Sequence, residues 1–367
     1  MARILLIGGT GAIGEYLQQT CLNRGHTVAV TTRRDRANTE AGISYHKGNA
    51  LDPAFTMHLL ESTRYDAVVD FMVYRTADFR DRVESILKRT EHYVYLSSYR
   101  VFADTDGEPI TETTPRLLDV SDDLDYLSTD EYALAKARQE DILRNQPCKN
   151  WTIVRPSITY AQNRVQFGCL EAVSFLPRSV NGLPVAIPEE MLKKRTTMTW
   201  AGDVADMIGA LLLKPIAMAS DFNVTASENR SWRDIGEIYR DAVGLKLLPV
   251  SLSDYLSLGV NRYQVHYDRM FDRVCDNTKI RETTGLEPAA LTAPEEGLRR
   301  SLANTTIGAA ALSRLQGRMD ALTGLNRLTE ARCWKEAASY AIGHSFVLNR
   351  FALRVASKRF APGFDTS

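Results

Sequence analysis

Along the first 155 residues, short apolar and β-branched runs alternate with longer stretches whose apolar positions recur every three or four residues. That alternation predicts βαβ units on a parallel sheet. Strands are expected at Arg3–Ile7, Thr27–Thr32, Ala67–Met72, His92–Leu96 and Trp151–Arg155, with a weaker one at Ile43–His46. Helices are expected near Ala12–Arg24, Pro53–Ser62, Asp78–Thr90 and Asp130–Arg144, with Gly25 as the stop of the first. The fold class read from this pattern is α/β, a Rossmann-like doubly wound parallel sheet with residues 1–155 as its dinucleotide-binding domain.

Past Pro156 the alternation fades into a segment rich in Gly, Pro and Asn, and periodicity returns near Val204–Leu213 and Phe222–Thr225. Residues 197–225 are expected to rejoin the main sheet, leaving 156–196 and 226–304 as a smaller, interleaved substrate lobe. Within that lobe Ser231 and Asp234 have capping-box spacing, and Trp232, Ile235, Ile238 and Tyr239 give the following helix an apolar face. Residues 305–367 form a helical C-terminal extension rich in Ala, Leu and Arg, with nine Lys/Arg against four Asp/Glu after Ala310. Its apolar residues include Trp334, Phe346, Leu348, Phe351, Leu353 and Phe360. At about 100° per residue, Phe346, Leu348, Phe351 and Leu353 spread around a helix, which predicts packing against protein and weak binding to vesicles.

Composition narrows the picture. Of 367 residues, 44% are apolar and 25% charged, enough for a large core, and Lys/Arg balance Asp/Glu at 45 each. No overall basic field draws nucleic acid to the chain, and no nucleic-acid partner is expected. The five cysteines are scattered with no CxxC pair, and none of the six histidines has metal-ligand spacing, so no metal is expected. The apolar run after Met1 is too short for a signal peptide and leads into glycines, and no stretch of ~18 apolar residues predicts a membrane span. A cytoplasmic protein is expected.

Candidate chemistry begins where the first strand meets Gly8-Gly9-Thr10-Gly11-Ala12-Ile13-Gly14. Glycines between a strand and a helix permit a tight turn and bring backbone N–H groups to a pyrophosphate at the positive helix end. The second strand ends in Thr31-Thr32-Arg33-Arg34 without an aligned acid, which favours NADP, with NAD possible. Tyr132 and Lys136 stand one helical turn apart, and an ammonium beside a phenol lowers a pKa of about 10 toward useful proton transfer. Ser97-Ser98 lies at the carboxyl end of the His92–Leu96 strand, the edge where such sheets bind ligands.

With these residues in place, the chain resembles the extended short-chain dehydrogenase/reductase family of the sugar-nucleotide epimerase/dehydratase kind, across roughly residues 1–303. The matching pieces, in order, are Gly8/Gly11/Gly14, Gly48-Asn49, Leu96-Ser97-Ser98-Tyr99-Arg100-Val101-Phe102, Tyr132xxxLys136, Val154-Arg155-Pro156 with Ile158-Thr159-Tyr160, Ala201-Gly202-Asp203-Val204-Ala205-Asp206, and Phe222-Asn223-Val224-Thr225. The resemblance implies that Ser98 hydrogen-bonds the reacting oxygen, Tyr132 is the general acid/base, and Lys136 binds the nicotinamide ribose. It places Asn49 and Ala50 near the adenine, Phe71 and Met72 where the backbone passes the cofactor, and Pro156 and Ile158 beside the nicotinamide. It also implies a homodimer through the helices at Asp78–Thr90 and Asp130–Arg144.

Departures from the family pattern restrict the reaction. Dehydratases place Asp-Glu after the catalytic hydroxyl residue, and 3,5-epimerase/reductases a Cys two residues after it; this chain has Tyr99-Arg100 there. What remains is oxidation or reduction at one carbinol of a nucleotide-linked sugar, as net redox or as epimerisation. Tyr99, Arg100, Arg195, Arg269 and Arg273 are the substrate candidates, since guanidinium groups match phosphate oxygens in pairs. The competing reading is a non-catalytic NADP-binding protein, redox-sensing or RNA-associated, of the same fold.

Overall fold

A computed structural model describes residues 1–359 apart from 39, 163, 304 and 310, and the side chains of 1–353 among them. Seven parallel strands form the central sheet: β1 (Arg3–Ile7), β2 (Thr27–Thr32), β3 (Ile43–Lys47), β4 (Tyr65–Asp70), β5 (Thr90–Leu96), β6 (Trp151–Pro156) and β7 (Ser220–Val224). Their order is β7-β6-β5-β4-β1-β2-β3. The chain leaves β1 toward β2 on one side and returns as β4 on the other, which opens a crevice at the carboxyl ends of β1 and β4.

Side-chain alternation divides the strands between two cores. Ile4, Leu6, Val28, Val30, Val69, Val94, Val154 and Phe222 pack with Leu17 of α1 (Ala12–Asn23) and with Val204 and Ile208 further along the chain. Leu5, Ile7, Val68, Tyr93, Tyr95 and Ile153 face the other way, against Leu60 of α2 (Pro53–Ser62), Phe79, Val83 and Ile86 of α3 (Thr76–Leu87), and Leu143 of α4 (Tyr132–Arg144). Helices therefore cover both faces of the sheet.

The element ends differ from the sequence reading for local reasons. β4 stops at Asp70 and not at Met72, because the Asp70 carboxylate accepts the Met72 N–H at 3.0 Å and turns the chain. α4 starts at Tyr132 because Glu131 is its N-cap and accepts the Ala133 N–H at 2.8 Å. Gly25 follows α1 with φ 77°, the left-handed conformation a C-terminal stop requires.

Helix α5 (Ala172–Val180) belongs to the second lobe, whereas α6 (Ala201–Leu211), which carries Val204 and Ile208, packs on the central sheet beside α1. Then comes α7 (Trp232–Val243), with its capping box at Ser231 and Asp234 and a left-handed Gly244 at its end. Trp232, Tyr239, Phe167 and Phe175 form an aromatic cluster at the centre of this lobe.

The C-terminal extension is docked on the second lobe. Its helices are α8 (Arg314–Thr323), α9 (Trp334–His344) and α10 (Phe346–Arg359). α8 and α9 cross closely: a Cβ on Gly343 would stand 1.9 Å from the Arg314 carbonyl oxygen, and one on Gly317 2.1 Å from that of Tyr340. Arg178 of α5 donates to Asp320 at 2.7 Å and to Gln316 at 2.9 Å, all three buried. α8 is thus packed against the body, and α9 packs on α8. α10 meets the body through Asn349, which donates to the Ser257 carbonyl at 2.7 Å, but Phe346, Leu348 and Phe351 are exposed, as is Trp334 on α9. Phe360 lies outside the described residues.

Candidate active site

The loop after β1 is shaped by its glycines. Gly8 has φ 75°, and a Cβ there would meet the Met72 sulfur at 2.6 Å. A Cβ on Gly14 would stand 2.4 Å from the Gly9 carbonyl oxygen, so Gly14 lets α1 approach the loop. Gly11, by contrast, faces open space with nothing within 4 Å. It is also the N-cap of α1, and no side chain caps that helix. Exposed N–H groups at a positive helix end beside free space, with Thr10, Ala12 and Ile13 in the same turn, fit a dinucleotide pyrophosphate.

Around this loop, Arg33 and Arg34 are exposed beyond β2, and neither makes an ion pair among the described residues. Asp35 is turned to Lys47, 2.6 Å away. Asn49 is exposed, its side chain accepting the Leu51 N–H, while the Ala50 carbonyl is taken by Thr56 and Arg82. Phe71 donates its N–H to Ile7, carrying the chain past the Gly8 loop. Pro156 ends β6, and Ile158 is buried in the lobe core.

Ser98, Tyr132 and Lys136 come together at the carboxyl end of β5. Lys136 is buried, its ammonium donating to the Leu96 carbonyl at 2.6 Å and the Met72 carbonyl at 3.3 Å. It lies 4.7 Å from the Tyr95 ring centroid and 5.9 Å from that of Tyr132. Burial lowers its pKa to about 8, against the opposing pull of Asp70 and Glu140. Burial raises that of Tyr132, opposed by Arg100, by a hydrogen bond with Ser98 and by Arg164. Ser98 Oγ also accepts the Arg100 N–H at 3.3 Å.

Tyr99 and Arg100, which stand where other chemistries keep an acid, enter a buried ionic cluster. Arg100 sits over the Tyr132 ring, 5.1 Å from its centroid, and pairs with Glu131 at 2.8 Å and Asp268 at 3.5 Å. Tyr99 donates to Asp268 at 3.2 Å and accepts from Arg269 at 2.9 Å. Burial alone would raise the Asp268 pKa, but Arg269, Arg273 and Arg100 hold it below the ordinary carboxylate value.

The structure treats the substrate arginines unequally. Arg269 is buried and donates to Asp268, Tyr99, and the Gly168 and Gln166 oxygens; Arg273 is buried and donates to Asp268 and to three backbone carbonyls. Both are engaged inside the protein, where a free phosphate clamp was expected. Arg195 is exposed, on a two-residue strand paired with Arg230–Ser231. Sequence reasoning missed Glu131, Asp268 and Arg164. It also missed Asp70, whose buried carboxylate accepts from Tyr74, Tyr93 and the Met72 N–H and so holds the loop that meets Lys136. A carboxylate closing the apolar run Ala67-Val68-Val69-Asp70 was the available signal. A cavity of about 450 Å³ bounded by Arg3, Thr27, Ser44, His46 and Tyr65 lies at the amino ends of β1, β2 and β4, away from this chemistry.

Comparison with known proteins decides the family. The family model described as NAD dependent epimerase/dehydratase family matches residues 4–225, from β1 through the end of β7. The chain belongs to this family. A curated relative, the chloroplast stem-loop binding protein of 41 kDa b of Arabidopsis thaliana, is 26% identical over 224 residues, 57% of this chain. The chain spans only about half of that relative, 54% of its length. Among solved structures, UDP-glucose 4-epimerase of Thermus thermophilus in complex with NAD shares 20% identity at a TM-score of 0.62, covering 82% of this chain and 98% of that one. An epimerase of Methanothermobacter thermautotrophicus shares 16% at 0.64, covering 82% and 91%. At these identities the likeness is one of fold, and the family is one described as NAD dependent.

Proposed function

We propose that the chain is an NAD(P)-dependent oxidoreductase or redox epimerase acting at one carbinol or ketone of a nucleotide-linked sugar. The observation that carries this reading is the convergence of Ser98, Tyr132 and Lys136 beside the open glycine loop, with Lys136 anchored to Leu96 and Met72. Bound nicotinamide would supply or accept the hydride. Ser98 and Tyr132 hold the reacting oxygen, and Tyr132 gives or takes its proton. Lys136 orients the nicotinamide ribose and, while protonated, favours the phenolate, as Arg100 and Arg164 do from other directions. Tyr99-Arg100 supplies no carboxylate pair for water elimination, so the chemistry stays at hydride and proton transfer.

NADP is the preferred cofactor in this reading, because Arg33 and Arg34 make no ion pair among the described residues while Asp35 is held by Lys47. Arg195 is the exposed candidate for the substrate diphosphate, with Arg269 and Arg273 stiffening the wall behind it. A homodimer through α3 and α4 and a cytoplasmic location belong to the same proposal. The contact would be polar, since Arg80, Asp81 and Glu84 are exposed on α3. The test is turnover of a panel of UDP- and dTDP-linked sugars with NADP or NAD, read by product analysis and by absorbance of reduced cofactor.

A second reading, a non-catalytic NADP-binding protein, is favoured by Arg100 covering one face of Tyr132 and by the Arabidopsis relative named for stem-loop binding. It predicts cofactor binding without turnover of any sugar in the panel, and binding of a stem-loop RNA that weakens with salt.

A further inference from the structure

Among its described side chains, helix α10 is seated on the protein along one edge. Asn349 is buried and donates its amide to the Ser257 carbonyl at 2.7 Å, and Leu353 is half-buried near Gly259. Away from that edge, Phe346 is 59% exposed, Val347 74%, Leu348 51% and Phe351 68%. The sequence reading left out Val347; with it, Val347, Leu348 and Phe351 fall within about 100° of arc on a helix advancing 100° per residue. Phe346 adds to them because it opens the helix, with the Arg318 guanidinium 5.2 Å from its ring centroid.

The charges along this helix have one sign. α10 contains Arg350, Arg354, Lys358 and Arg359 and no acidic residue. From residue 311 to 359 there are nine Lys/Arg against three Asp/Glu, and the three acids are all engaged: Asp320 with Arg178 and Arg327, Glu330 with Arg327, and Glu336 with Arg332. Large apolar side chains in water mark an interaction face. A second copy of the same helix would bring only like charge to it. An anionic bilayer surface complements both features at once, taking the apolar side chains into the acyl boundary and the cations among its headgroups. Among the described residues no helix is long and apolar enough to cross a membrane, so contact would be peripheral.

We propose that the exposed face of α10 docks the protein on an anionic lipid surface. The proposal stands independently of the reaction. Its test is co-sedimentation of the full chain with vesicles of phosphatidylcholine alone and of phosphatidylcholine mixed with phosphatidylglycerol, at low and high salt, alongside Phe346→Ser/Phe351→Ser and Arg350→Glu variants. Binding is expected to the mixed vesicles, to weaken with salt, and to fall about tenfold or more in the double variant, with melting curves unchanged because the replaced side chains are exposed. Absence of binding to mixed vesicles, or equal binding by parent and double variant, overturns the proposal. Light scattering that shows a dimer dissociated by the same substitutions would assign the face to a second copy instead.

Discussion

The guanidinium of Arg100 lies 5.1 Å from the ring centroid of Tyr132, held there by Glu131 and Asp268. A cation in this position favours the phenolate and also neutralises a buried carboxylate. Arg100→Met is therefore expected to act in two ways. It leaves Glu131 buried without its cation, which costs about 3–5 kcal/mol, read by urea unfolding. It also removes a cation from Tyr132, so the phenol titrates higher and the alkaline limb of the pH–rate profile moves up. Arg100→Lys should restore part of both. An unshifted profile in the Met variant would separate Arg100 from the proton transfer.

Arg33 and Arg34 give the cofactor prediction. NADPH should bind more tightly than NADH in the parent protein, and Arg33→Ala with Arg34→Ala should narrow the difference about tenfold or more, the scale of a lost charge-assisted hydrogen bond. Calorimetry finding equal or tighter NADH binding in the parent removes the preference for NADP.

His92 supplies an acid-sensitive element. It is buried, accepts the Leu213 N–H on Nδ1 at 2.9 Å and meets the Thr152 hydroxyl at Nε2 at 2.7 Å, so it is held neutral. Leu213 sits at φ 59°, a strained conformation that this bond supports. Burial lowers the His92 pKa to about 4 from 6.5. The unfolded chain therefore binds the extra proton first, and stability is lost as pH falls from 6.5 toward 4. The loss should reach about 3 kcal/mol, and the difference in melting between parent and His92→Gln should shrink across that window. A difference independent of pH would contradict the assignment.

The docked extension predicts a structural penalty. Asp320→Ala leaves Arg178 buried without its carboxylate and should cost about 3–5 kcal/mol. Removal of everything after Thr305 uncovers the same arginine along with the lobe core and should lower solubility. A soluble, equally stable truncated chain would show that α8 and α9 merely rest on the lobe.

Much of this was legible in the sequence because its determinants are local. The glycine spacing, the Tyr132–Lys136 turn and the alternation of β1 and β2 each lie within one or two elements. Contacts that join distant segments were not legible. Asp268 meets Tyr99 across 169 positions, and Arg269 reaches Tyr99, Gly168 and Gln166 across 101 or more; such contacts separate a buried, saturated Arg269 from a surface cation awaiting a phosphate. The ends of β4 and α4 were misplaced because Asp70 and Glu131 use their carboxylates on the backbone two residues ahead, a capping role that apolar periodicity does not register.

The central claim is that Tyr132 moves the proton in a redox step. Its most direct test compares turnover by the parent and by Tyr132→Phe on whichever sugar nucleotide of the panel is converted, with cofactor affinity measured in parallel. The account predicts a fall of about 100-fold or more in kcat, the scale of a lost general acid/base, with cofactor affinity little changed. A near-normal rate in the variant, or no conversion of any panel member by a parent that binds the cofactor, would contradict it.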